Sequence, residues 1–494
     1  MVKKEKEDWE RFGRAKKPTA PEITQLYDWR NNPTIFDIAS YYNQILIHRA
    51  HTVMLCEQKI IKPTEARAII KGIKEVEKEL TGDPKLVNYM STETALIKKI
   101  GEVGGKMHIG RSRNDLAHTK RRLYYRDQIN RVIEAVIEYQ RKLIKASEQN
   151  LETYMPGYTH WRQAQPITLA HYIMSHVEAA TRTIERLEGT YKRTNLSPLG
   201  GAAFAGTGWP LNRPRTMELL GCDGLVENTL DGIASMDYYM EFSSALAIHM
   251  NNLSRLSEDI QVMSSDEFMF IDLDEAYAGT SSIMPQKKNP IILEQTRSYA
   301  SESIGAATSI YTSMKGMPYT NTSDRALLEP VMIDTAVGAT NSMGGLVLAM
   351  KPIKENMRQK LREGFSTMTD VADTLVRLFD LSFRQAHDII AHVTVEALEN
   401  GILAEEINPE RISKAAEAVI GKPLLIPLAD LEQAIDPELN VKRRNGIGMP
   451  APSSVQAMIK AEKGRVNDAE IRLKNRLTKL EEAKNKLTEA ESML

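Results

Sequence analysis

The sequence predicts an all-α protein built around a central bundle of long helices. Apolar residues recur at intervals of three and four over several long stretches, the spacing of a helix that buries a face. These stretches are 118–152, 166–195, 235–263, 291–314 and 324–350. No alternation of apolar and polar residues stands out as a strand. Because the helices carry apolar residues on more than one face, we expect the bundle to form the core of a homotetramer.

The pattern changes on either side of the bundle, which predicts four segments. Residues 1–112 join a charged lead-in to shorter helices, residues 113–363 contain the bundle, and residues 364–463 return to shorter helices. The tail 464–494 carries an apolar residue every seven positions, at Val466, Leu473, Leu480, Leu487 and Leu494. This repeat favours a weak coiled coil or a helix docked on the body. A solvated amphipathic helix is an equally open alternative.

Composition excludes several classes of protein. The 494 residues contain 64 Lys and Arg against 65 Asp and Glu, which argues against nucleic acid as a partner and makes any anion site local. Cys56 and Cys222 are the only cysteines, so a disulfide scaffold and a multi-cysteine metal site are ruled out. The N-terminus lacks the apolar core of a signal peptide, and no run reaches the length of a transmembrane helix. We expect a cytoplasmic protein without membrane contact.

Three polar breaks interrupt the helical pattern, at 108–119, 155–165 and 279–290. In the third, a serine could act as a base only if nearby cations and N–H donors stabilised its alkoxide. His160, in the second, titrates near neutrality and could move a proton to or from a leaving group. The residue types that bind carboxylates are Arg111, Ser112, Arg113, Asn114, Thr159 and Asn289. Together they predict proton abstraction next to a carboxylate, followed by loss of a leaving group.

Other chemistries have no support in the sequence. No Walker loop, no GxGxxG after a strand and no HExxH occurs, so hydride transfer, nucleotide hydrolysis and zinc chemistry have no support. The polar residues also have ordinary explanations: 279–290 could be a surface loop, and Asn114 and Asp115 are good N-caps. Six further histidines lie in or beside helical patterns and are interpreted as structural: His108, His118, His171, His249, His387 and His392.

The motifs in these breaks resemble a known family. TSSIMPQKKNP is similar to the GSSxMPxKxNP loop of the fumarase/aspartase superfamily. HIGRSRNDLAHT and MPGYTHWRQAQPI resemble two conserved loops of its argininosuccinate lyase branch. SPLGGAAFAG resembles that branch's PLGSGAxAG segment, and NGIGMPAPSSV its GGTAPxxV ending. The resemblance covers roughly residues 34–460.

The resemblance implies both a fold and a reaction. The fold would have three helical domains and form a homotetramer whose active sites each take loops from three subunits. The reaction would be reversible anti-elimination of fumarate, a small dicarboxylate, from an N-substituted L-aspartate without metal or cofactor. Ser281 matches the base that takes the Cβ proton, with Ser282 beside it as a binding residue. The other matches are Lys287 and Asn289 for the carboxylate that becomes an aci-carboxylate, Thr159 and His160 for the leaving-group side, Ser112, Arg113 and Asn114 for the fumarate carboxylate, and Glu294 as an acidic partner of His160.

The sequence departs from this branch around the amine half of the site. Thr280 stands where glycine is usual, and Ile291 where aspartate is usual. Asn321, Ala326 and Glu329 replace a tyrosine, a glutamine and a lysine that hold the arginine part of argininosuccinate. We therefore expect a different N-substituted aspartate as the main substrate, with Asn321 as a binding residue. Argininosuccinate lyase proper, a carbon–oxygen or carbon–sulfur lyase, and a non-enzymatic protein on this scaffold stay open as alternatives.

Overall fold

The computed structural model describes residues 20–22, 34–82, 91–322, 324, 326 and 328–494. Most of the predicted lead-in 1–33 therefore lies outside the described residues. Helices make up most of the described chain, and the predicted all-α fold is confirmed. Apolar side chains collect in separate buried clusters for the N-terminal helices, the long bundle and the C-terminal helices.

Among the described residues from 34 onward, four α-helices precede the bundle: α1 (Ile35–Ala39), α2 (Tyr41–Glu57), α3 (Pro63–Gly82) and α4 (Ser91–Ile100). Thr34 starts α1 with a capping box, because its hydroxyl and the Asp37 carboxylate each accept the other residue's backbone N–H. Helix α2 packs between α3 and the bundle, so most of its side chains are buried, including the polar His48 and His51. A short 3₁₀ helix, Gly101–His108, leads into the bundle.

Five long helices form the bundle, and two short ones lie in its longest connection. In chain order they are α5 (Arg113–Gln149), α6 (Leu169–Thr194), the short α7 (Arg213–Leu219) and α8 (Thr229–Ala234), then α9 (Asp237–Met263), α10 (Ile291–Met314) and α11 (Pro330–Ala349). Ser112 and Thr168 cap α5 and α6 through their hydroxyl oxygens. The predicted stretches match these helices within a few residues, except that α11 begins at Pro330, in a position that suits proline.

Helix α11 is also the one described helix that is long and apolar enough to cross a membrane by length and hydropathy. In the fold it is a bundle helix packed against α5 and α10. Ile333, Ala336, Met343 and Leu346 place its apolar side in the shared core. Its hydropathy thus matches its place inside the bundle.

Short strands lie in the connections between and after the bundle helices. β1 (Tyr154–Thr159) and β2 (Arg162–Thr168) form an antiparallel hairpin. The two-residue pairs are β3 (Leu196–Ser197) with β4 (Gly224–Leu225), β5 (Ile271–Asp272) with β8 (Lys351–Pro352), and β6 (Gly279–Thr280) with β7 (Lys288–Asn289). Two of the predicted polar breaks, 155–165 and 279–290, are therefore hairpins rather than irregular loops.

Shorter helices follow the bundle: α12 (Lys354–Glu363), α13 (Met368–Phe379), α14 (Phe383–Glu399), α15 (Pro409–Ile420), α16 (Leu428–Ile435) and α17 (Pro437–Arg443). Side chains from α13 to α16 build a separate buried cluster. The shorter helical pattern predicted after the bundle is present, and the four predicted domain limits stay a prediction.

The last helix, α18 (Pro452–Ser492), has 41 residues and runs along the body, packing on α5, α6 and α2. The heptad residues Leu473 and Leu487 are buried, whereas Leu477 is 45% exposed. Salt bridges fasten it along its length, including Arg472 to Glu188 at 2.9 Å. Of the three alternatives for the heptad tail, the docked helix is the one observed within this chain.

Candidate active site

The first predicted break forms the N-terminus of α5. Ser112 is the N-cap, and its hydroxyl accepts the N–H of Asn114 at 3.2 Å. Asp115 completes a capping box by accepting the N–H of Ser112 at 2.9 Å. The segment therefore does cap the helix, but the N-cap is Ser112 and not Asn114 or Asp115, which are the second and third helical residues. The exposed Arg113 and the amide of Asn114 lie on the same first turn.

The side-chain amide of Asn114 joins three parts of the chain. It donates to the carbonyl of Ala203 at 2.9 Å and accepts from the amide of Asn321 at 2.9 Å. The amide oxygen of Asn321 lies 3.3 Å from Nε2 of His118, which is fully buried. We interpreted His118 as structural, yet its spacing of four from Asn114 places it on the same face of α5. We call this set the Asn114 cluster: Ser112, Arg113, Asn114, His118 and Asn321.

Asp115 fastens the glycine-rich connector to this cluster. Its buried carboxylate accepts the N–H groups of Gly200 at 3.1 Å and Ala202 at 3.0 Å. Burial raises the pKa of Asp115 to about 6, although Arg111 and the backbone donors act in the opposite direction. The connector, some 85 residues further along the chain, is therefore held against the start of α5 by one carboxylate.

The second predicted break is the tip of the β1–β2 hairpin. A two-residue turn of His160 and Trp161 joins the strands, with φ of +53° and +56°. Two successive residues with positive φ form a type I′ turn, which normally takes Asn-Gly because larger side chains strain the backbone there. Strain of this kind collects at functional sites, and it favours a functional role for this tip.

Aromatic packing holds the strained tip in place. The ring of Trp161 lies 6.1 Å from that of Tyr158 and 6.4 Å from that of Phe268, measured between centroids. Thr159 and His160 are exposed and border a cavity of about 640 Å³ between the hairpin, α6 and α9. The two predicted leaving-group residues thus share one cavity wall.

The third predicted break is the hairpin loop that carries Ser281 and Ser282. β6 and β7 close it, so residues 281–287 project from the start of α10. The Ser281 Oγ accepts two backbone N–H groups, from Ile283 at 3.3 Å and from Met284 at 3.0 Å. Donors directed at a hydroxyl oxygen stabilise negative charge on it. The geometry therefore favours the alkoxide that a serine base requires.

The two adjacent lysines of this loop have different surroundings. Lys288 Nζ contacts the carboxylate of Asp272 at 2.7 Å and the carbonyl of Leu273 at 2.9 Å, which anchors the base of the hairpin. Lys287 is exposed and takes part in no salt bridge among the described residues. Asn289 is half-buried in β7. Lys288 is thus structural, and Lys287 is the lysine whose charge can serve a ligand.

Gly279 and Ile291 set the position of the hairpin. Thr280 has an extended backbone in β6, opposite Lys288, so the threonine at a usual glycine position causes no strain from positive φ. The close approach occurs one residue earlier, where a Cβ added to Gly279 would lie 1.9 Å from Cδ1 of Ile291. The isoleucine that replaces the usual aspartate therefore packs directly on the strand that leads to Ser281.

Within one chain, the first and second breaks lie far apart, at opposite ends of α5. Helix α5 has 37 residues and spans about 55 Å at 1.5 Å per residue. The Asn114 cluster lies at its first turn, and the His160 hairpin follows its last turn. Glu294 is exposed in the first turn of α10 and has no hydrogen bond or salt bridge to His160 among the described residues. Its predicted pairing with His160 stays a prediction.

Comparison with known proteins identifies the family. The profile described as lyase matches residues 29–305, and that described as argininosuccinate lyase C-terminal matches residues 365–442. An argininosuccinate lyase from Methanococcoides burtonii is 41% identical over 443 residues, covering 86% of this chain and 88% of that protein. EDDS lyase in complex with formate is 43% identical, with a TM-score of 0.90 and coverage of 98% of this chain and 97% of that one. An EDDS lyase variant with bound fumarate has the same identity and TM-score, with coverage of 99% and 98%.

The helical bundle and its polar clusters define a lyase of the fumarase/aspartase superfamily. The chain belongs to the argininosuccinate lyase-like branch of that superfamily and is a carbon–nitrogen lyase. The resemblance identified from the sequence motifs and the predicted enzyme class are both confirmed.

Proposed function

We propose that this protein catalyses the reversible anti-elimination of fumarate from an N-substituted L-aspartate, with Ser281 as the base. The observation that carries the proposal is the pair of N–H donors, from Ile283 and Met284, on the Ser281 Oγ. The alkoxide stabilised there removes the Cβ proton beside a carboxylate. The electron pair of the Cβ–H bond forms the double bond of fumarate as the carbon–nitrogen bond breaks.

The other predicted residues complete this scheme. Lys287 and Asn289 hold the carboxylate next to the deprotonated carbon, and Lys287 balances the added charge of the aci-carboxylate. His160, beside Thr159, delivers a proton to the departing amine, with Glu294 as its acidic partner. The substrate's remaining carboxylate is held by Ser112, Arg113, Asn114 and Ser282, with Asn321 next to them.

The proposed active site combines loops from three subunits of a homotetramer. Within one chain, α5 separates the Asn114 cluster from His160 by about 55 Å, and this distance supports the arrangement. Helix α10 supports it as well, since it carries no charged residue from Ser303 to Met314, yet Ile304 and Tyr311 are 45% and 46% exposed. An exposed, uncharged face of that length is typical of a subunit interface.

Subunit sharing has a direct test. Ser281→Ala and Asn114→Ala are each expected to be inactive alone, because each damages every site of its own tetramer. Dissociated and reassembled together, they are expected to regain part of the wild-type rate, because some sites then receive only intact loops. A monomer mass in light scattering, or no recovery from mixed tetramers of confirmed composition, would contradict the arrangement.

The amine half of the site supports a substrate other than argininosuccinate. Ala326 offers only its backbone, whose N–H donates to Ser313 Oγ at 3.0 Å and whose carbonyl accepts from the Tyr239 hydroxyl at 2.9 Å. Ile291 is apolar, and the amide of Asn321 is hydrogen-bonded to Asn114 and His118. A site that lacks polar groups for a ligand's polar end loses much of its preference for that ligand.

Argininosuccinate lyase proper is the second candidate, because the curated relative at 41% identity carries that name. Fumarate release, followed by its ultraviolet absorbance, separates the two. We expect one N-substituted aspartate of a panel to exceed argininosuccinate in kcat/KM, and Ser281→Ala to lose turnover. Fastest turnover of argininosuccinate would favour the second candidate. No fumarate from any member of the panel, with Ser281→Ala indistinguishable from wild type, would contradict both.

A further inference from the structure

One face of α5 continues from the Asn114 cluster into the bundle. Four residues separated by four, three and four positions share this face: Asn114, His118, Arg121 and Tyr125. Asn321 and Leu328 contact this face at two points. Asn321 lies 3.3 Å from His118, and the Tyr125 hydroxyl donates to the carbonyl of Leu328 at 3.3 Å. Arg121 therefore lies between these two contacts along α5.

Two of the three nitrogens of the Arg121 guanidinium are enclosed without an acceptor in the part of the chain that the structure describes. Its Nε and Nη1 are buried, and neither has a hydrogen-bond partner among the described residues. Burial raises the pKa values of Tyr125 and Tyr239, and the nearby charge of Arg121 opposes that rise. Tyr239 also donates to the carbonyl of Ala326, so the guanidinium lies close to the rebuilt amine half of the site.

Neighbouring cations on α5 differ from Arg121, because each has an acceptor for its charged group. Each of three others reaches a carboxylate or carbonyl at 2.8 Å: Lys120 the carboxylate of Asp37, Arg122 the carbonyl of Arg193, and Arg126 the carbonyl of Leu220. Burying a guanidinium without an acceptor is unfavourable. A bound anion would supply that acceptor, and a carboxylate fits the fork of an arginine with two parallel hydrogen bonds.

We propose that Arg121 binds a carboxylate on the amine half of the substrate, so that the amine released is an amino acid or a related amino carboxylate. The proposal rests on the lyase reaction proposed above. Arg121 is seven residues beyond Asn114, about 10 Å along the helix. That separation puts it beyond Asn114, and its proximity to Tyr239 puts it on the side of Ala326, in the rebuilt amine half of the site.

The test runs the reaction in the addition direction with fumarate and matched pairs of amines. Each pair is an amino acid and its carboxamide, which has nearly the same shape without the negative charge. The amino acids are glycine, β-alanine, 4-aminobutanoate and arginine. We expect Arg121→Met to lower kcat/KM at least about tenfold for the best amino acid and less than about threefold for its carboxamide. Comparing wild type with variant for each amine cancels differences in amine basicity.

Two further variants make the result specific. Arg121→Lys keeps the charge without the fork and is expected to retain an intermediate preference for the acid. Arg141→Met, on the same helix, removes an exposed arginine paired with Glu470 and is expected to change neither rate. If Arg121→Met fails to assemble, the losses of Arg121→Lys for the amino acid and for its carboxamide still test the role of Arg121.

Equal losses for acid and carboxamide, or no loss for either, would overturn the role of Arg121 while leaving the lyase reaction intact. The same holds if Arg121→Met changes only the melting temperature or the tetramer mass, because Arg121 then serves the fold. Absence of addition with every amine, together with no fumarate release from any N-substituted aspartate, would overturn this role and the proposed function together.

Discussion

The contact between Gly279 and Ile291 allows the position of the Ser281 hairpin to be tested by a double-mutant cycle. Gly279 is not among the residues with positive φ, so alanine suits the backbone there and the added methyl group is the whole perturbation. That methyl would lie 1.9 Å from Cδ1 and 2.8 Å from Cγ1 of Ile291, far inside the 3.5–4.0 Å or so of a normal carbon contact. Overpacking of this size costs about 1–3 kcal/mol. We expect about 1–2 kcal/mol, because Ile291 is 43% exposed and can turn partly aside.

Activity should respond more strongly than stability. Gly279 is two residues before Ser281, and a misplacement of about 1 Å in a catalytic group can cost a hundredfold in rate. We expect Gly279→Ala to lower kcat at least tenfold and Gly279→Ala/Ile291→Ala to come within about threefold of Ile291→Ala alone. The double variant restores space because the new methyl lies 3.7 Å from Cβ of Ile291.

The assay is fumarate release with one substrate throughout, alongside urea unfolding of all four proteins in the cycle. The coupling free energy should be about 1–2 kcal/mol and of the sign that marks a relieved clash. Strictly additive effects in both measurements would show that the two side chains do not compete for space and would refute this account of the hairpin.

Three further outcomes follow from individual contacts. Lys287→Met should lose activity about a hundredfold without loss of stability, whereas Lys288→Met should lose up to about 1 kcal/mol with the Asp272 contact and keep most turnover. Asp115 has a pKa of about 6 in the folded protein against an ordinary 3.8. Its contribution to stability therefore falls as pH rises from about 4 to about 6. The difference between the urea midpoints of wild type and Asp115→Asn should change across that window and stay constant above it. Leu473→Ala should destabilise by about 2–4 kcal/mol and the half-exposed Leu477→Ala by less than about 0.5 in urea unfolding, and equal effects would argue against docking of α18 through this seam.

The helices could be predicted because their apolar spacing extends over many turns. α5, α6, α9 and α10 begin and end within a few residues of the predicted limits. The heptad tail was harder, because a seven-residue repeat identifies the apolar face of a helix but not its partner. Glu188 and the other acceptors that fasten α18 are hundreds of residues away in sequence.

The candidate site shows what local pattern leaves out. The motifs identify Ser281, but the donors of Ile283 and Met284 are backbone groups that appear only once the hairpin is folded. Local preference argues against a type I′ turn at His160 and Trp161, and tertiary aromatic packing overrides it.

The sequence also leaves out contacts between residues that are far apart in the chain. The helical setting of His118 gives no sign of its contact with Asn321, which is 203 residues away. Asp115 was recognised as a capping residue, and it also holds a connector far along the chain. In both cases the decisive partner was distant in sequence, so no motif or spacing could identify it.

The most direct test of the central claim is addition of an amine to fumarate in deuterium oxide, with the product examined by proton NMR. Proton transfer at Cβ through Ser281 predicts one deuterium, at a single diastereotopic position of the new aspartate, with the configuration that anti addition requires. Ser281→Ala should abolish product formation while the native mass stays that of the wild type. Deuterium at both positions, syn geometry, or an unchanged rate in Ser281→Ala would contradict a serine-based anti-elimination at this site.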